Sequence, residues 1–223
     1  MKTTAAVSAN IIIGTALFGA LLFLPGGWHY WQGWAYLILF MGLSTPYTWY
    51  LAARQPEVLA RRIRGGPIAE RRPIQKLSVG VLQLGFFAIL LVAAFDHRYG
   101  WSHVPDWLAV LGLAVASGGL ALTMWVVLQN SWAAATVRIE GGQQLVSTGL
   151  YGVVRHPMYS GAVLLAVGSA LGLASYWALI PAALVVASLV PRIFDEEAML
   201  RAELPGYDDY TRQVRYRVLP GIW

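Results

Sequence analysis

Apolar residues run in long blocks along this chain, separated by short polar joints. In hydrocarbon every backbone N–H and C=O must find a partner within the chain, so a block of about 20 apolar residues folds as an α-helix that crosses the bilayer. Six blocks can be drawn, over residues 9–24, 31–51, 77–95, 107–129, 157–173 and 176–190. The last two are short and joined by only Ala174 and Ser175, which predicts a helical hairpin. At 1.5 Å per residue a segment of about 17 residues barely spans about 30 Å, so this hairpin is expected to sit partly submerged. The expected fold is therefore an all-α, polytopic bundle of five to six transmembrane helices. The apolar block near the N-terminus is followed by no small-x-small cleavage signature, which predicts a retained first span.

Charge supports this count. Only 12% of the 223 residues are charged, against about 25% in soluble domains. Arg54, Arg61, Arg62, Arg64, Arg71, Arg72 and Lys76 fall between spans two and three, Arg138 and Arg155 between four and five, and Arg192, Arg201, Arg212, Arg215 and Arg217 after span six. With Lys2 these are fifteen of the sixteen basic residues, and six crossings put all of them on one side, opposite Arg98. The positive-inside rule makes that side cytoplasmic, with both termini on it. Trp28, Trp31, Trp34, Trp101, Trp107 and Trp177 then form an aromatic belt at the outer interface. A net charge of +5 confined to loops between spans speaks for anionic membrane lipids rather than nucleic acid as the partner. The chain has no cysteine, which excludes disulfides, a thiolate metal site and a catalytic thiol. His29, His97 and His103 lie in predicted outer loops without metal-ligand spacing.

The polar chemistry gathers in the last 90 or so residues. In "RHPMY", Pro157 suits the first turn of a helix, where its missing N–H is not needed. His156 then stands at the N-cap beside Arg155, and the N–H groups of a helix start attract anionic or polar atoms. Further on, Pro191 should kink the end of the sixth span. Beyond it Arg192 and Glu196 share a helix face, flanked by Asp195 and Glu197. Three consecutive acids at a membrane face whose leaflet is itself negative call for a specific role. The linker "VRIEGGQQLVSTGLYG" is Gly-rich and polar, suited to bringing backbone close to a ligand.

In this order, "LVSTGLY", "RHPMYSG", "RIFDEEAML" and "YDDY…VRYRVLPGIW" resemble the isoprenylcysteine carboxyl methyltransferase (ICMT)-like superfamily of integral membrane methyltransferases. The resemblance covers roughly residues 131–223, which it marks as a catalytic region behind N-terminal transmembrane helices over 1–130. It implies an S-adenosylmethionine site closed by the inner ends of the last helices and by a cytoplasmic C-terminal helical segment. The cofactor contacts it implies are Arg138, where the family has Gln, and Gln143, where it has His. They continue through Gln144, Leu145, Val146, Tyr151, His156, Pro157, Met158, Tyr159 and Glu196. Arg192 takes the family's substrate-side role, so Arg192 and Glu196 are the implied catalytic pair.

Such a site is expected to take a lipophilic acceptor from the bilayer: an isoprenylcysteine-like carboxylate, a phospholipid amine or a thiol. A carboxylate or thiolate would be oriented by Arg192, whereas an amine would need a base such as Glu196. Two other readings of the same residues are an NADPH-dependent membrane reductase of the sterol type and a non-catalytic protein of the same fold.

Overall fold

The computed structural model describes residues 2–132 and 144–223. Arg138 and Gln143 lie outside the described residues. Among those described the fold is all-helical: α1 (Lys2–Gly26), α2 (Trp31–Arg54), α3 (Pro56–Ile63), α4 (Pro73–Tyr99), α5 (Asp106–Gln129), α6 (Pro157–Gly172), α7 (Leu179–Glu203) and α8 (Tyr207–Gln213). Three stretches, Val7–Gly26, Pro73–Tyr99 and Asp106–Gln129, are long and apolar enough to cross a membrane, and Pro157–Gly172 is apolar but shorter.

The six long helices close into a ring in the spatial order α1, α2, α5, α6, α7, α4, with α4 returning to α1. The core at its centre includes Leu22, Tyr36, Ile89, Leu90, Leu113, Ala166 and Val185. The expected hairpin of α6 and α7 is present, but each helix packs chiefly elsewhere: α6 on α5 and α7 on α4. Small residues cause the α5–α6 pairing. Gly112, Ala116, Gly119 and Thr123 on α5 face Gly161, Leu165, Gly168 and Gly172 on α6, both rows spaced by four, three and four residues. A Cβ on Gly112 would stand 2.3 Å from the Gly172 nitrogen, and one on Gly168 would stand 2.4 Å from the Ala116 nitrogen. Backbones this close exchange dispersion contacts that no larger side chain would allow, the usual basis of helix association in lipid.

Pro191 lies inside α7, which runs unbroken from Leu179 to Glu203, so the helix continues past the sixth apolar block as the shared face of Arg192 and Glu196 requires. The missing N–H costs one ladder bond in the interior, and the side chains beyond it are held by tertiary partners that carry the helix on. His97 is not in a loop. It lies in the last turn of α4, where its ring stacks on Tyr30 at 4.1 Å.

The three connections at one end of the ring are tied together by hydrogen bonds. Asp96, almost fully buried, accepts from the Ser102 N–H and Oγ, each at 2.6 Å, and from Ser175 Oγ. Tyr30 donates to the Leu173 carbonyl at 2.5 Å and Arg98 to the Pro25 carbonyl at 3.2 Å. The six Trp residues of the expected belt are exposed on and beside these connections. The polar cluster of the C-terminal third lies at the opposite end.

Candidate functional site

The start of α6 is fixed by the C-terminal tail. The N–H groups of Arg155 and His156 donate to the carbonyls of Tyr216 (2.9 Å) and Arg217 (2.8 Å), and Ser160 Oγ donates to the Val218 carbonyl at 2.5 Å. Tyr159 N–H bonds back to His156 O. The anion cradle expected from free N–H groups at this helix start is thus largely engaged in holding the tail. Gly149, at φ +60°, turns the chain into this region, where a Cβ would collide with the Gln129 amide. That amide bonds Thr148 O and Leu150 N–H and fixes the turn preceding Tyr151.

On α7 successive side chains are about 100° apart, so the three consecutive acids fan out to different partners. Asp195 turns to α4, accepting from Gln75 Nε2 at 2.6 Å and pairing with Arg72 at 2.9 Å. Glu196 accepts from the Tyr159 hydroxyl at 2.5 Å, with His156 Nδ1 at 3.9 Å. Glu197 points inward, fully buried, among Arg155 (2.8 Å), Arg201 (3.2 Å), Arg217 (3.2 Å) and His156 Nε2 (3.3 Å). Burial alone would raise its pKa, but the His156 hydrogen bond and the charges of Arg155, His156 and Arg217 outweigh it and hold it at about 2. Arg155 borders the same space as His156 and is tied to Glu197 and to the carbonyls of Val214 and Thr211.

Arg192 is also buried, and its Nε and Nη1 are engaged. Its Nε donates to the Tyr159 hydroxyl (2.9 Å), and its Nη1 donates to Gln75 Oε1 (2.7 Å) and Glu70 Oε1 (3.1 Å). Gln75 Nε2 returns a bond to the Arg192 carbonyl at 3.1 Å. The result is a continuous chain from Glu70 through Arg192 and Tyr159 to Glu196.

These groups border a cavity of about 360 Å³. Gln144, Leu145, Val146, Tyr151, His156, Pro157, Met158, Tyr159, Arg192 and Glu196 all line it, so the described residues that the resemblance singles out converge on one space. One side is closed by α8 and residues 144–146, where Leu145 packs with Leu204, Tyr207, Tyr210 and Val214, and Tyr210 donates to the Tyr151 carbonyl at 2.7 Å. Burial pushes the Tyr151 hydroxyl up to about 12, opposed by a hydrogen bond from Asn130 and assisted by the Glu196 charge. Burial likewise raises Tyr207 and Tyr210, so all three remain neutral phenols at physiological pH. At the other extreme the cavity is walled by Val79, Leu82, Ala162 and Leu189.

Sequence reasoning did not single out Arg62, Asn130, Tyr207 or Tyr210, which also line the cavity, nor Glu70 and Gln75 behind Arg192. Tyr207 and Tyr210 had a visible signal in "YDDY". Glu70 and Gln75 had none, because their contacts join residues 122 and 117 positions apart.

A cavity between helix ends, lined by both polar and apolar side chains, lies in a bundle that contains membrane-length helices. Residues 106–203 match the model of the phospholipid methyltransferase family (PEMT), a family of the ICMT-like superfamily of integral membrane methyltransferases. The match starts at α5 rather than at residue 131, takes in the α5–α6 glycine seam, and stops at the end of α7, leaving the tail outside it. No curated protein matches the chain. The motif resemblance and the family match agree, and with the apolar helices they fit a membrane methyltransferase.

Proposed function

We propose that this chain is an S-adenosylmethionine-dependent methyltransferase that methylates a lipophilic amine, of the phospholipid headgroup type, reached from the bilayer. The observation that carries this reading is the two-sided cavity, with Glu196, His156 and three neutral tyrosines at one end and aliphatic side chains at the other. Its volume of about 360 Å³ lies within the range of small-ligand sites. The Tyr207 hydroxyl is buried against it with no hydrogen-bond partner among the described residues. An unsatisfied buried donor costs about 1–3 kcal/mol, which a polar ligand in the cavity would relieve.

When bound, S-adenosylmethionine supplies a methyl group already activated by its sulfonium. The residues able to hold it are Gln144, Leu145, Val146, Tyr151, His156, Pro157, Met158, Tyr159, Glu196 and Tyr207, with Arg138 and Gln143 proposed from the resemblance alone. The protein's remaining work is alignment, exclusion of water and management of a proton. Tyr159 donates to Glu196 and accepts from Arg192, which fixes the carboxylate's orientation. Arg192 is paired with Glu70, which offsets part of its positive charge towards an anionic acceptor. That balance favours an amine over a carboxylate. Glu196 would accept the proton that an amine nitrogen gives up on methylation. The cavity end is taken as the cytoplasmic side from the distribution of basic residues.

The test is incubation of membranes containing the protein with methyl-labelled cofactor, followed by separation of the lipid extract. Label on the headgroup amine of a phospholipid is expected. Label confined to a carboxylate or thiol acceptor would overturn the amine assignment, and reduction of a sterol by NADPH without methyl transfer would overturn the reading as a whole.

A further inference from the structure

The strap between α2 and α4, residues 54–76, carries seven of the chain's sixteen basic residues and only two acids, Glu57 and Glu70. Its two faces differ. Inward, Val58 packs with Leu51 and Val127, beside Met158 of the cavity wall. Arg62 lines the cavity, Glu70 is buried against Arg192, and Arg72 pairs with Asp195. Outward, Arg54, Arg64, Arg71 and Lys76 are exposed, interleaved with exposed Ile63, Ile68, Ile74 and Leu77. Ile68 is 98% exposed on a turn that none of the described residues covers. Isoleucines set between arginines beside the end of an apolar helix suit the boundary between headgroups and acyl chains, with the side chains in hydrocarbon and the cations among phosphates.

We infer that the 54–76 strap docks on anionic phospholipid of the leaflet nearest the cavity, and that this docking seats Glu70 and Arg72 against Arg192 and Asp195. The strap is then an interaction surface for anionic lipid, and Glu70 and Gln75 are positioning residues that act through Arg192. Only that last step rests on the function proposed above. The charge pattern supports the choice of partner: four exposed cations stand near one exposed acid, and each cation close to an anionic membrane surface contributes about 1 kcal/mol, or roughly 5-fold in affinity.

The chain has no cysteine, so single labels can be placed without a background reaction. A nitroxide at Ile68→Cys reports immersion depth, and a pair at Ile68→Cys and Ala202→Cys reports the distance from strap to α7, neither needing methyl transfer. In nanodiscs of phosphatidylcholine containing phosphatidylglycerol, the Ile68 label should sit below the headgroups and the paired distance should be narrow. In phosphatidylcholine alone the label should rise and the distance broaden. Each of Arg64→Gln, Arg71→Gln and Lys76→Gln should weaken the response to phosphatidylglycerol roughly 5-fold. Glu70→Gln should leave the depth response intact but keep the distance broad, and Arg72→Gln should do the same to a lesser degree. Equal depth in the two lipids, or an equal response to inorganic phosphate in solution, would overturn the docking. A narrow distance in Glu70→Gln would overturn its link to α7. Absence of methyl transfer would count against the proposed function and leave both results standing.

Discussion

Each end of the bundle buries a carboxylate, and the two are held in opposite ways. Asp96 is satisfied by neutral donors, two serine hydroxyls and one backbone N–H, within a knot that joins the connecting turns. Glu197 is satisfied by cations drawn from α6, α7 and the tail, one helix step from Glu196 on the cavity wall. A carboxylate among hydroxyls serves rigidity alone. A carboxylate among three arginines and a histidine gathers positive charge beside a cavity and fixes the ring of His156. The first end closes the fold and the second holds it open around a space.

The largest expected difference between the ends comes from removing each charge. Glu197→Gln leaves Arg155 buried beside an uncharged amide, and losing one partner of a buried ion pair costs about 3–5 kcal/mol. Asp96→Asn keeps an acceptor for its serine donors and should cost about 1–3 kcal/mol. Thermal unfolding of the purified variants in one detergent compares them directly, and equal losses would erase the contrast. Acid should act next. The folded pKa of Glu197, about 2, lies below its ordinary value of 4.5, so its contribution is complete above pH 4.5 and is lost as pH falls from 4.5 towards 2. The shift corresponds to roughly 3 kcal/mol. Stability measured against pH should fall in that window in the parent protein and stay flatter in Glu197→Gln.

A smaller effect on stability, but a specific one on binding, is expected on the cavity wall. Tyr159→Phe removes the donor to Glu196 and the acceptor for Arg192, and Glu196→Gln removes the carboxylate. Each should weaken binding of S-adenosylhomocysteine or lower the methyl-transfer rate at least about tenfold, with little change in unfolding midpoint. The smallest effect belongs to the aromatic belt. Trp177→Phe replaces one exposed ring by another and should shift stability by less than about 0.5 kcal/mol.

How much of this was legible in the sequence follows from the range of each interaction. The helices and the turn into α6 rest on local apolar runs and on Pro157, and they read directly. Tyr159 and Glu196 were picked out by two separate motifs, each a short local piece, but the hydrogen bond between them was not. The division of labour among Asp195, Glu196 and Glu197 was not legible, because it depends on the phase of α7 against α4 on one side and the tail on the other. The glycine seam was missed for a different reason: glycines are common in membrane helices, and only the two matching rows across α5 and α6 give them meaning. The helix beyond Pro191 was read from the four-residue spacing of Arg192 and Glu196, but its partners Gln75, Arg72 and Tyr159, all distant in sequence, were not.

The central claim is that the cavity under α8 and the linker binds the methyl donor and that the Asp96 end does not. Calorimetric titration of S-adenosylhomocysteine into the parent protein, Glu196→Gln and Asp96→Asn tests it most directly. The account predicts binding by the parent and by Asp96→Asn, and at least about tenfold weaker binding by Glu196→Gln. Undiminished binding by Glu196→Gln, or no binding by a folded parent protein, would contradict it.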